Sequence, residues 1–491
     1  MKKIFRYTLM SLAVLIISSC TEDFIDIQPK DELTANLAFQ NFADVQLGLI
    51  GAYDGFQSGN YAGTAYLTVP SIIADDATQV SENTGQQIFF HNFQYTADDN
   101  AIGPIWNRLY NMLERTNTVL DQLPNFSDEV TEQEANSVRG QALALRATVH
   151  FDLLRYFAGN EGLGVPLKLV SGDLTAPTRN TIDEVYDQVI ADYTEARTLL
   201  TGINTVDNSA RSPNRFTVDA INAMLARVSL YRGDFQGAVN FATEVINTSR
   251  TLATGDDFRT IWAEDVDGGT GEIIFSVTYN QGEGNIGSTL YLASNDPTNN
   301  PDADQLQWAP SQSLMNLYDQ VNDVRFDSYF QMRPNPNFPP QMVDNKYRGR
   351  APLGTTTPPN LQLHDVKLIR LTEVYLTRAE ANFELGNQGV ALDDLNDVRE
   401  ARIENYTDET ITGQALLDAI LDERRKEFAF EGHRWFDLKR RNLPVVRGAD
   451  CIDGPAVACT LEVGNFRFIL PIPQGEIFAN DNIAPQQNPG Y

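Results

Sequence analysis

The sequence predicts a mainly α-helical protein, a tetratricopeptide-like helical-repeat scaffold with long loop-rich excursions and a few short strands. Three observations predict this fold class. Apolar residues recur at helical spacing through most of the 491 residues, and two of the predicted helical hairpins resemble each other. The segments 251–312 and 328–363 are instead rich in Gly, Pro, Asn and Asp, with one strand pattern over 272–279.

The positions of apolar residues define the predicted helices. Pro104 suits a first helical turn, and apolar residues from Ile105 to Leu123 then repeat every three or four positions. A second stripe of this kind begins after Glu134 and ends at Tyr156. Similar patterns predict helices over 181–200, 217–248, 365–386, 388–402 and 414–431.

The two similar hairpins are the basis for the helical-repeat prediction. In the first, Ala226 and Ala238 flank a glycine turn, and in the second Ala379 and Ala391 do the same, 153 positions further along. Small residues on both sides of such a turn let two antiparallel helices approach closely, as in tetratricopeptide repeats. The alternative is a pair of ordinary helical hairpins. Repeat scaffolds usually bind partners, which directs attention to binding rather than catalysis.

The first twenty residues predict export and lipid attachment. A basic start precedes an apolar run over 9–17, which is too short to span a bilayer. The run ends in Ile-Ser-Ser-Cys, which resembles a bacterial lipobox, so residues 1–19 are predicted to be a lipoprotein signal peptide and Cys20 the acylated first residue of the mature chain. The alternative is ordinary cleavage near an incidental cysteine. We expect a lipid-anchored protein without a membrane-spanning helix.

Composition excludes several classes of function. The chain has 37 Lys and Arg against 66 Asp and Glu, a formal net charge of −29, and such a surface repels the phosphates of nucleic acids. Three Cys and four His, without the spacing of metal ligands, predict neither a metal site nor a cofactor. Cys451 and Cys459 share one polar loop and could form a local disulfide in an oxidising compartment.

The sequence predicts no catalytic centre. Residues 282–287 fit G-x-G-x-x-G but lack the following helix that holds a pyrophosphate, and residues 263–272 resemble a calcium loop with its glycine and final glutamate misplaced. Glu423, Glu427 and Glu431 fall on one helix face among basic residues, where salt bridges explain them. Glycoside hydrolysis instead needs two carboxyls that face each other across the substrate. We therefore expect a protein that is not an enzyme.

Several longer segments carry a family resemblance. The segment ILDERRKEFAFEGHRWFDLKRRN (420–442) and the chain end over 466–491 look like the C-terminal part of the SusD/RagB family of outer-membrane nutrient-binding lipoproteins of Bacteroidetes. The helix over 370–387 and, in the N-terminal half, the segments 24–34 and 138–160 are similar to that family as well. The similarities extend in order from the lipobox to the end of the chain.

The resemblance implies an organisation and a role. Residues 20–35 would form the acylated N-terminus and tether, and residues 36–491 a single SusD-like domain with an N-terminal helical part (36–260) and a C-terminal part (261–491). The protein would be attached by lipid to the outer membrane, exposed at the cell surface and without catalytic activity. It would capture oligosaccharide or polysaccharide for a SusC-like TonB-dependent transporter, and peptide capture is the alternative.

The candidate ligand residues lie in two segments, 57–95 and 280–312. Sugar binding needs flat aromatic faces for apolar C–H patches, and amide or carboxyl groups for the hydroxyls. Both segments supply this mixture. The candidates are Tyr61, Tyr66, Asp75, Asp76, Gln86, Gln87, Phe90, Asn92, Tyr291, Asn295 and Trp308. Any one of them could alternatively pack within its own loop, and the acidic net charge favours a neutral glycan over a uronate-rich or sulfated one.

Overall fold

The fold is mainly helical, as the sequence predicts. The structure is a computed structural model that describes residues 35–206, 212–280, 283, 290, 306–333, 340–349, 363–451 and 457–491. The predicted signal peptide, Cys20 and the predicted tether up to residue 34 lie outside the described residues. Within them, no helix is both long enough and apolar enough to cross a membrane.

The helices are numbered α1 to α17 in chain order. In the N-terminal half they are α1 (Ala35–Ala38), α2 (Phe42–Asp54), α3 (Ala65–Ile73), α4 (Ile88–His91), α5 (Ile102–Gln122), α6 (Glu132–Phe157), α7 (Ile182–Leu200), α8 (Val218–Arg232) and α9 (Phe235–Ile246). In the C-terminal half they are α10 (Gly255–Ala263), α11 (Gln312–Met315), α12 (Val324–Tyr329), α13 (Leu371–Glu384), α14 (Gln388–Arg402), α15 (Gln414–Glu427), α16 (Arg434–Arg440) and α17 (Gln474–Ala479).

The strands are short and form four antiparallel two-stranded sheets in the described residues. They are β1 (Ala77–Gln79) with β3 (Trp308–Pro310), β2 (Ile273–Val277) with β6 (Val366–Arg370), β4 (Phe330–Met332) with β5 (Met342–Asp344), and β7 (Val445–Val446) with β8 (Thr460–Leu461). The strand predicted over 272–279 is therefore confirmed as β2, but the first residues of the helix predicted over 365–386 form β6 instead. All five residues of β6 are buried, and the antiparallel pairing with β2 satisfies the backbone groups that face β2.

Local sequence signals explain where the long helices begin. The side chain of Thr131 accepts a hydrogen bond from the amide of Glu134, and the carboxylate of Glu134 accepts one from the amide of Thr131. Thr181 and Glu184 form the same reciprocal cap at the start of α7. Each cap satisfies two amide groups that a helix start leaves without an intrahelical partner.

The two predicted hairpins are present, as α8–α9 and α13–α14. Gly233 ends α8 with a φ of 84°, which glycine adopts without the steric penalty that a Cβ brings, and Gly386 has a φ of 82° in the second turn. Ala238 packs with Ala381 of α13, so the first hairpin lies against the second through small residues. Within the second hairpin, Ala379 and Ala391 belong to one buried cluster, as the predicted close approach of its two helices requires.

The helix predicted over 414–431 ends earlier, at Glu427. Phe430 and Gly432 both take the left-handed conformation, with φ of 60° and 81°, which a helix cannot continue through. A Cβ at position 432 would lie 2.4 Å from the carbonyl oxygen of Tyr66, so a glycine there lets the C-terminal segment approach α3 closely.

A buried cluster of ionised side chains lies where β2, β6, α14 and α15 meet. Arg402 donates to Glu272 over 2.5 Å and to Glu427 over 3.1 Å, and Arg370 contacts Glu427 over 2.5 Å and Glu431 over 2.8 Å. These side chains are at most 3% exposed. Burial by itself would raise the pKa of Glu427, but the facing guanidinium groups outweigh it and hold that pKa well below its usual range.

The same cluster extends to α12. Arg325 is fully buried and contacts Glu423 over 2.6 Å and Asp323 over 2.7 Å. Lys346, next to β5, pairs with Glu431 over 2.7 Å and lies over the ring of Tyr329. We call the set of Glu272, Arg325, Lys346, Arg370, Arg402, Glu423, Glu427 and Glu431 the ionic core. It joins residues far apart in the sequence, in the segments that hold β2, α12, β5, β6, α14 and α15.

Removing one cation from the ionic core should destabilise the protein strongly. We expect Arg402→Ala to lower the free energy of unfolding by about 3–5 kcal/mol, because it leaves Glu272 and Glu427 buried with too little compensating charge. Urea unfolding followed by circular dichroism measures the change. The control is Arg139→Ala, which removes a pair with Glu195 whose side chains are both nearly half exposed and should cost less than about 1 kcal/mol. Equal losses in the two variants would contradict a structural role for the ionic core.

Candidate functional site

The aromatic residues predicted to face a sugar are buried. Tyr61, Tyr66, Phe90 and Trp308 are each at most 2% exposed. An aromatic platform must present its face to solvent in the free protein, so the expectation that these four rings offer open faces is wrong. Their positions in the structure are those of core residues beneath the loops.

Packing explains the burial of the two tyrosines. The ring of Tyr61 stacks on Phe56 with centroids 5.4 Å apart, and its hydroxyl donates to Asp152 of α6. The ring of Tyr66 meets Tyr61 edge to face at 5.8 Å, and the guanidinium of Arg155 lies 5.5 Å from its centre. Edge-to-face and cation–π contacts of this kind stabilise a core layer and leave no face for a ligand.

Trp308 is held in β3. This strand pairs with β1, where Gln79 lies opposite Trp308, and the indole packs against the ring of His91 at 5.2 Å. Phe90 packs in the same layer, against Phe89 and Tyr95. The polar sequence around Trp308 suggested an exposed side chain, but the strand turns this residue into the core.

Asp75 and Asp76 are also structural. Arg434 donates to both carboxylate oxygens of Asp75, over 2.7 and 2.9 Å, and Arg425 pairs with Asp76 over 2.9 Å. Burial favours the neutral acid, yet the two arginines hold the pKa of Asp75 below its usual value, whereas for Asp76 burial prevails and the pKa is raised. Both carboxylates are buried and ion-paired, which gives them a structural role, and contact of Asp75 or Asp76 with a ligand stays a prediction.

The C-terminal segment 420–442 therefore holds the buried layer on which the candidate site lies. It supplies Arg425 and Arg434 to the two aspartates and Gly432 to the close contact with α3. Asn92 also belongs to this inner layer, since it is only 9% exposed and its amide oxygen contacts the ring of His91.

Two of the predicted ligand residues do reach the surface. Gln86 is exposed and Gln87 is partly exposed, in the turn before α4. Gln87 takes the left-handed conformation, with a φ of 57°, and its side-chain amide donates to the hydroxyl of Thr68. Both residues stay predictions as ligand contacts. Tyr291 and Asn295 lie outside the described residues.

The structure adds neighbours that the sequence did not single out. Gln307 accepts hydrogen bonds from the amide and hydroxyl of Thr84, over 3.0 and 3.1 Å, and its carbonyl accepts one from the side chain of Asn83 over 2.8 Å. Glu82 pairs with Arg333 over 2.7 Å. We call the group of Glu82–Gln87, Gln307 and Arg333 the polar rim. One feature of the sequence could have indicated the polar rim, namely the turn pattern Asn-Thr-Gly at 83–85.

The polar rim joins the two predicted segments. Amide groups provide both donors and acceptors, and the carboxylate and guanidinium of Glu82 and Arg333 compensate each other. Such a surface suits hydroxyl groups without favouring either sign of charge. In the described part of the chain, no group of three or more His, Cys, Asp and Glu is placed to hold a metal ion.

A disulfide lies beside this region. Cys451 and Cys459 are bonded to each other, which confirms the bridge proposed from their spacing. Asp450, next to it, accepts a hydrogen bond from the amide of Gln312 at the start of α11, and its carbonyl accepts one from the side chain of Thr78 in β1. Asp450, the residue before the bridge, thus contacts the same sheet that carries Trp308.

Glu423 and Glu427 of α15 and Glu431, just beyond its end, do not form a catalytic pair. Glu423 and Glu427 are fully buried in the ionic core, and Glu431 is 3% exposed. All three carboxylates are held by arginine or lysine side chains rather than facing an open cleft. The arrangement stabilises the fold, which is mainly helical.

Comparisons with known proteins show which family the chain resembles. A model of the SusD family matches residues 345–491, and a model described as starch-binding, associating with the outer membrane, matches residues 23–230. SusD-like protein P38 of Formosa agariphila is 25% identical, over 89% of this chain and 90% of that protein. Starch-binding protein SusD of Bacteroides thetaiotaomicron is 35% identical over 133 residues, 26% of this chain and 22% of that protein.

Solved structures are similar over nearly the whole chain. A SusD superfamily protein from Bacteroides thetaiotaomicron has a TM-score of 0.78 and 27% identity, with 92% of this chain and 100% of that chain covered. A SusD-like carbohydrate binding protein from Bacteroides vulgatus has the same fold, with a TM-score of 0.76 at 21% identity, covering 91% and 98%. The chain belongs to the SusD-like family, a family of carbohydrate-binding proteins associated with the outer membrane.

The stability of two variants should show that Trp308 supports the fold whereas Gln86 does not. We expect Trp308→Ala to lower the free energy of unfolding by about 3–5 kcal/mol, because it leaves a cavity under the polar rim. Gln86→Ala, at an exposed position of the same region, should change it by less than about 0.5 kcal/mol. Urea unfolding of both variants checks this, and a Trp308→Ala protein as stable as the wild type would contradict the buried position.

Proposed function

We propose that this protein is a non-catalytic cell-surface lipoprotein that captures oligosaccharide or polysaccharide and delivers it to a SusC-like TonB-dependent transporter. The observation that carries the proposal is the polar rim, a set of polar side chains in which Gln86 is exposed and Gln307 and Arg333 are buried, above a rigid aromatic and ionic layer. Membership of the SusD-like family supports carbohydrate as the ligand class. Peptide capture is the alternative, and the titration calorimetry described below tests both ligand classes.

A neutral glycan is the proposed ligand class. The chain carries a formal net charge of −29, so an anionic polymer approaches it against long-range repulsion. Within the polar rim the only ion pair, among the described residues, joins Glu82 to Arg333 and leaves no excess positive charge to offset that repulsion. Hydroxyl groups, in contrast, find a donor and an acceptor on the exposed side chain of Gln86.

We also propose the anchor and the domain organisation. The apolar run over 9–17 followed by Cys20 supports cleavage after residue 19 and lipid attachment at Cys20. A single apolar cluster extends from Phe42 to Ile483, which supports one globular domain over 36–491 rather than separable halves.

Isothermal titration calorimetry tests the proposed ligand class. Neutral hexasaccharides based on glucose, xylose and mannose, a uronate hexasaccharide and a random hexapeptide pool serve as probes. We expect at least one neutral oligosaccharide to bind, and Gln86→Ala/Gln87→Ala to weaken it about fivefold or more, since each lost hydrogen bond costs about 0.5–1.5 kcal/mol.

The control for this titration is Gln236→Ala, an exposed glutamine on α9. It should leave the affinity unchanged. Binding of peptides without any oligosaccharide would favour the alternative, and tight binding of the uronate alone would contradict the neutral class.

Lipid anchoring and delivery have a test of their own. We expect Cys20→Ala to move the protein from the outer-membrane fraction to a soluble fraction, because one residue carries the whole attachment. The wild-type protein on intact cells should be accessible to added protease and should co-purify with a TonB-dependent transporter. Retention of Cys20→Ala in the membrane fraction would contradict the anchor.

A further inference from the structure

A cleft lies away from the polar rim and shares no lining residue with it. It has a volume of about 270 Å³ and lies between the end of α2, the residues before α8, and the residues that follow β2. We call it the α2–β2 cleft. Its polar side chains include Gln57, Asn214, Arg215, Asn280 and Glu283.

Arg215 brings unpaired donors to this cleft. Its guanidinium lies 4.6 Å from the centre of the Tyr53 ring, and one of its nitrogens donates to the backbone carbonyl of Asn214 over 3.1 Å. Among the described residues, no carboxylate lies within ion-pair distance of Arg215, whereas Arg227 and Arg370, for example, are tied to carboxylates. A guanidinium has five N–H donors in one plane, so most of those of Arg215 are available to a ligand.

Glu283 brings a fixed acceptor. One carboxylate oxygen accepts from the backbone amide of Asn280 over 2.6 Å and from the side chain of Gln57 over 3.1 Å, and the other accepts from the side chain of Asn280 over 3.3 Å. The same Gln57 amide donates to the carbonyl of Thr278 over 2.7 Å. These bonds orient the carboxylate and leave acceptor capacity on it, because an ionised carboxylate offers about four lone-pair sites.

The remaining walls of the cleft are apolar. Tyr53, Phe56, Phe275 and Val277 are buried at its base, and Ile50 at its edge is 49% exposed. Asp54 also lines the cleft but pairs with Arg115 over 3.5 Å, so its charge is compensated. Arg215 and Glu283 then offset each other, and a neutral molecule with several hydroxyl groups and an apolar face meets matching surfaces.

We propose that the α2–β2 cleft is a second carbohydrate subsite that holds one neutral sugar residue, with Arg215 donating to its oxygens and Glu283 accepting from its hydroxyls. The volume is just below the range of about 300–1,000 Å³ of pockets for drug-sized ligands, which fits a single sugar unit or a chain end. The inference rests on the proposed function. It adds a contact point outside the two segments that hold the polar rim, so one long chain or two short ones can be retained together.

Three variants in the full protein test this subsite. Arg215→Ala removes the donors, and Glu283→Gln removes the charge while keeping the size of the side chain. Arg259→Ala is the control, because Arg259 is half exposed and its one ion pair among the described residues is with Asp256 on its own helix. The probes are the neutral hexasaccharides named above, measured by titration calorimetry and by saturation-transfer NMR. We expect Arg215→Ala and Glu283→Gln each to weaken binding about fivefold or more, or to halve the number of sugars bound, with Arg259→Ala unchanged.

The outcomes separate the subsite from the proposed function. Binding that Arg215→Ala and Glu283→Gln leave unchanged, but that Gln86→Ala/Gln87→Ala weakens, overturns the subsite and leaves the glycan function intact. Absence of binding of every neutral probe to the wild type overturns both. Arg215→Ala also removes packing on Tyr53, so a loss of binding in that variant has two explanations, a lost contact or a lost fold. Glu283→Gln keeps the size of its side chain, and urea unfolding of each variant identifies a loss of folding.

Discussion

The fold depends on keeping the charges of the ionic core paired away from water. Arg325, Arg370 and Arg402 are at most 1% exposed, and an unpaired ion at such a depth costs several kcal/mol even after relaxation. Each of them must therefore meet its glutamates with suitable geometry or the fold is lost. The arginines belong to α12, β6 and α14, whereas their glutamates belong to α15 or lie just after α15 and just before β2. This requirement therefore fixes the loop-rich excursions onto the helical scaffold.

A second set of ion pairs connects the ionic core to the candidate site. Arg425 belongs to α15, two residues from the buried Glu427, and Arg434 belongs to α16; together they hold Asp75 and Asp76 just before β1. The sheet of β1 and β3 then places Trp308 beneath the polar rim. The surface residues of the rim thus stand on a layer that is itself fixed from the C-terminal segment.

The sequence predicted the helices, the hairpins and the bridge between Cys451 and Cys459, because each leaves a local signal. It did not predict which loop residues point outward. Trp308 lies in a polar stretch, and only its pairing with β1, more than 200 residues earlier, turns it inward. Asp75 looked like an available carboxylate because its partner Arg434 is 359 residues away in the chain. Contacts across such distances are set by tertiary packing, which periodicity and spacing do not encode.

The residues that stabilise the fold differ from those that are exposed to a ligand, and this difference affects how specificity can change. Side chains such as Tyr61, Asp75 and Trp308 cannot change freely, since their burial and pairing stabilise the scaffold. Gln86, Gln87 and Glu283 are partly or fully exposed, and changes there cost the fold little. A binding protein built in this way can alter its ligand while retaining its core, because recognition depends on a few surface groups and stability depends on others. Ligand identity is then encoded in the exposed amides and charges, and the segment 420–442 serves the scaffold on which they stand.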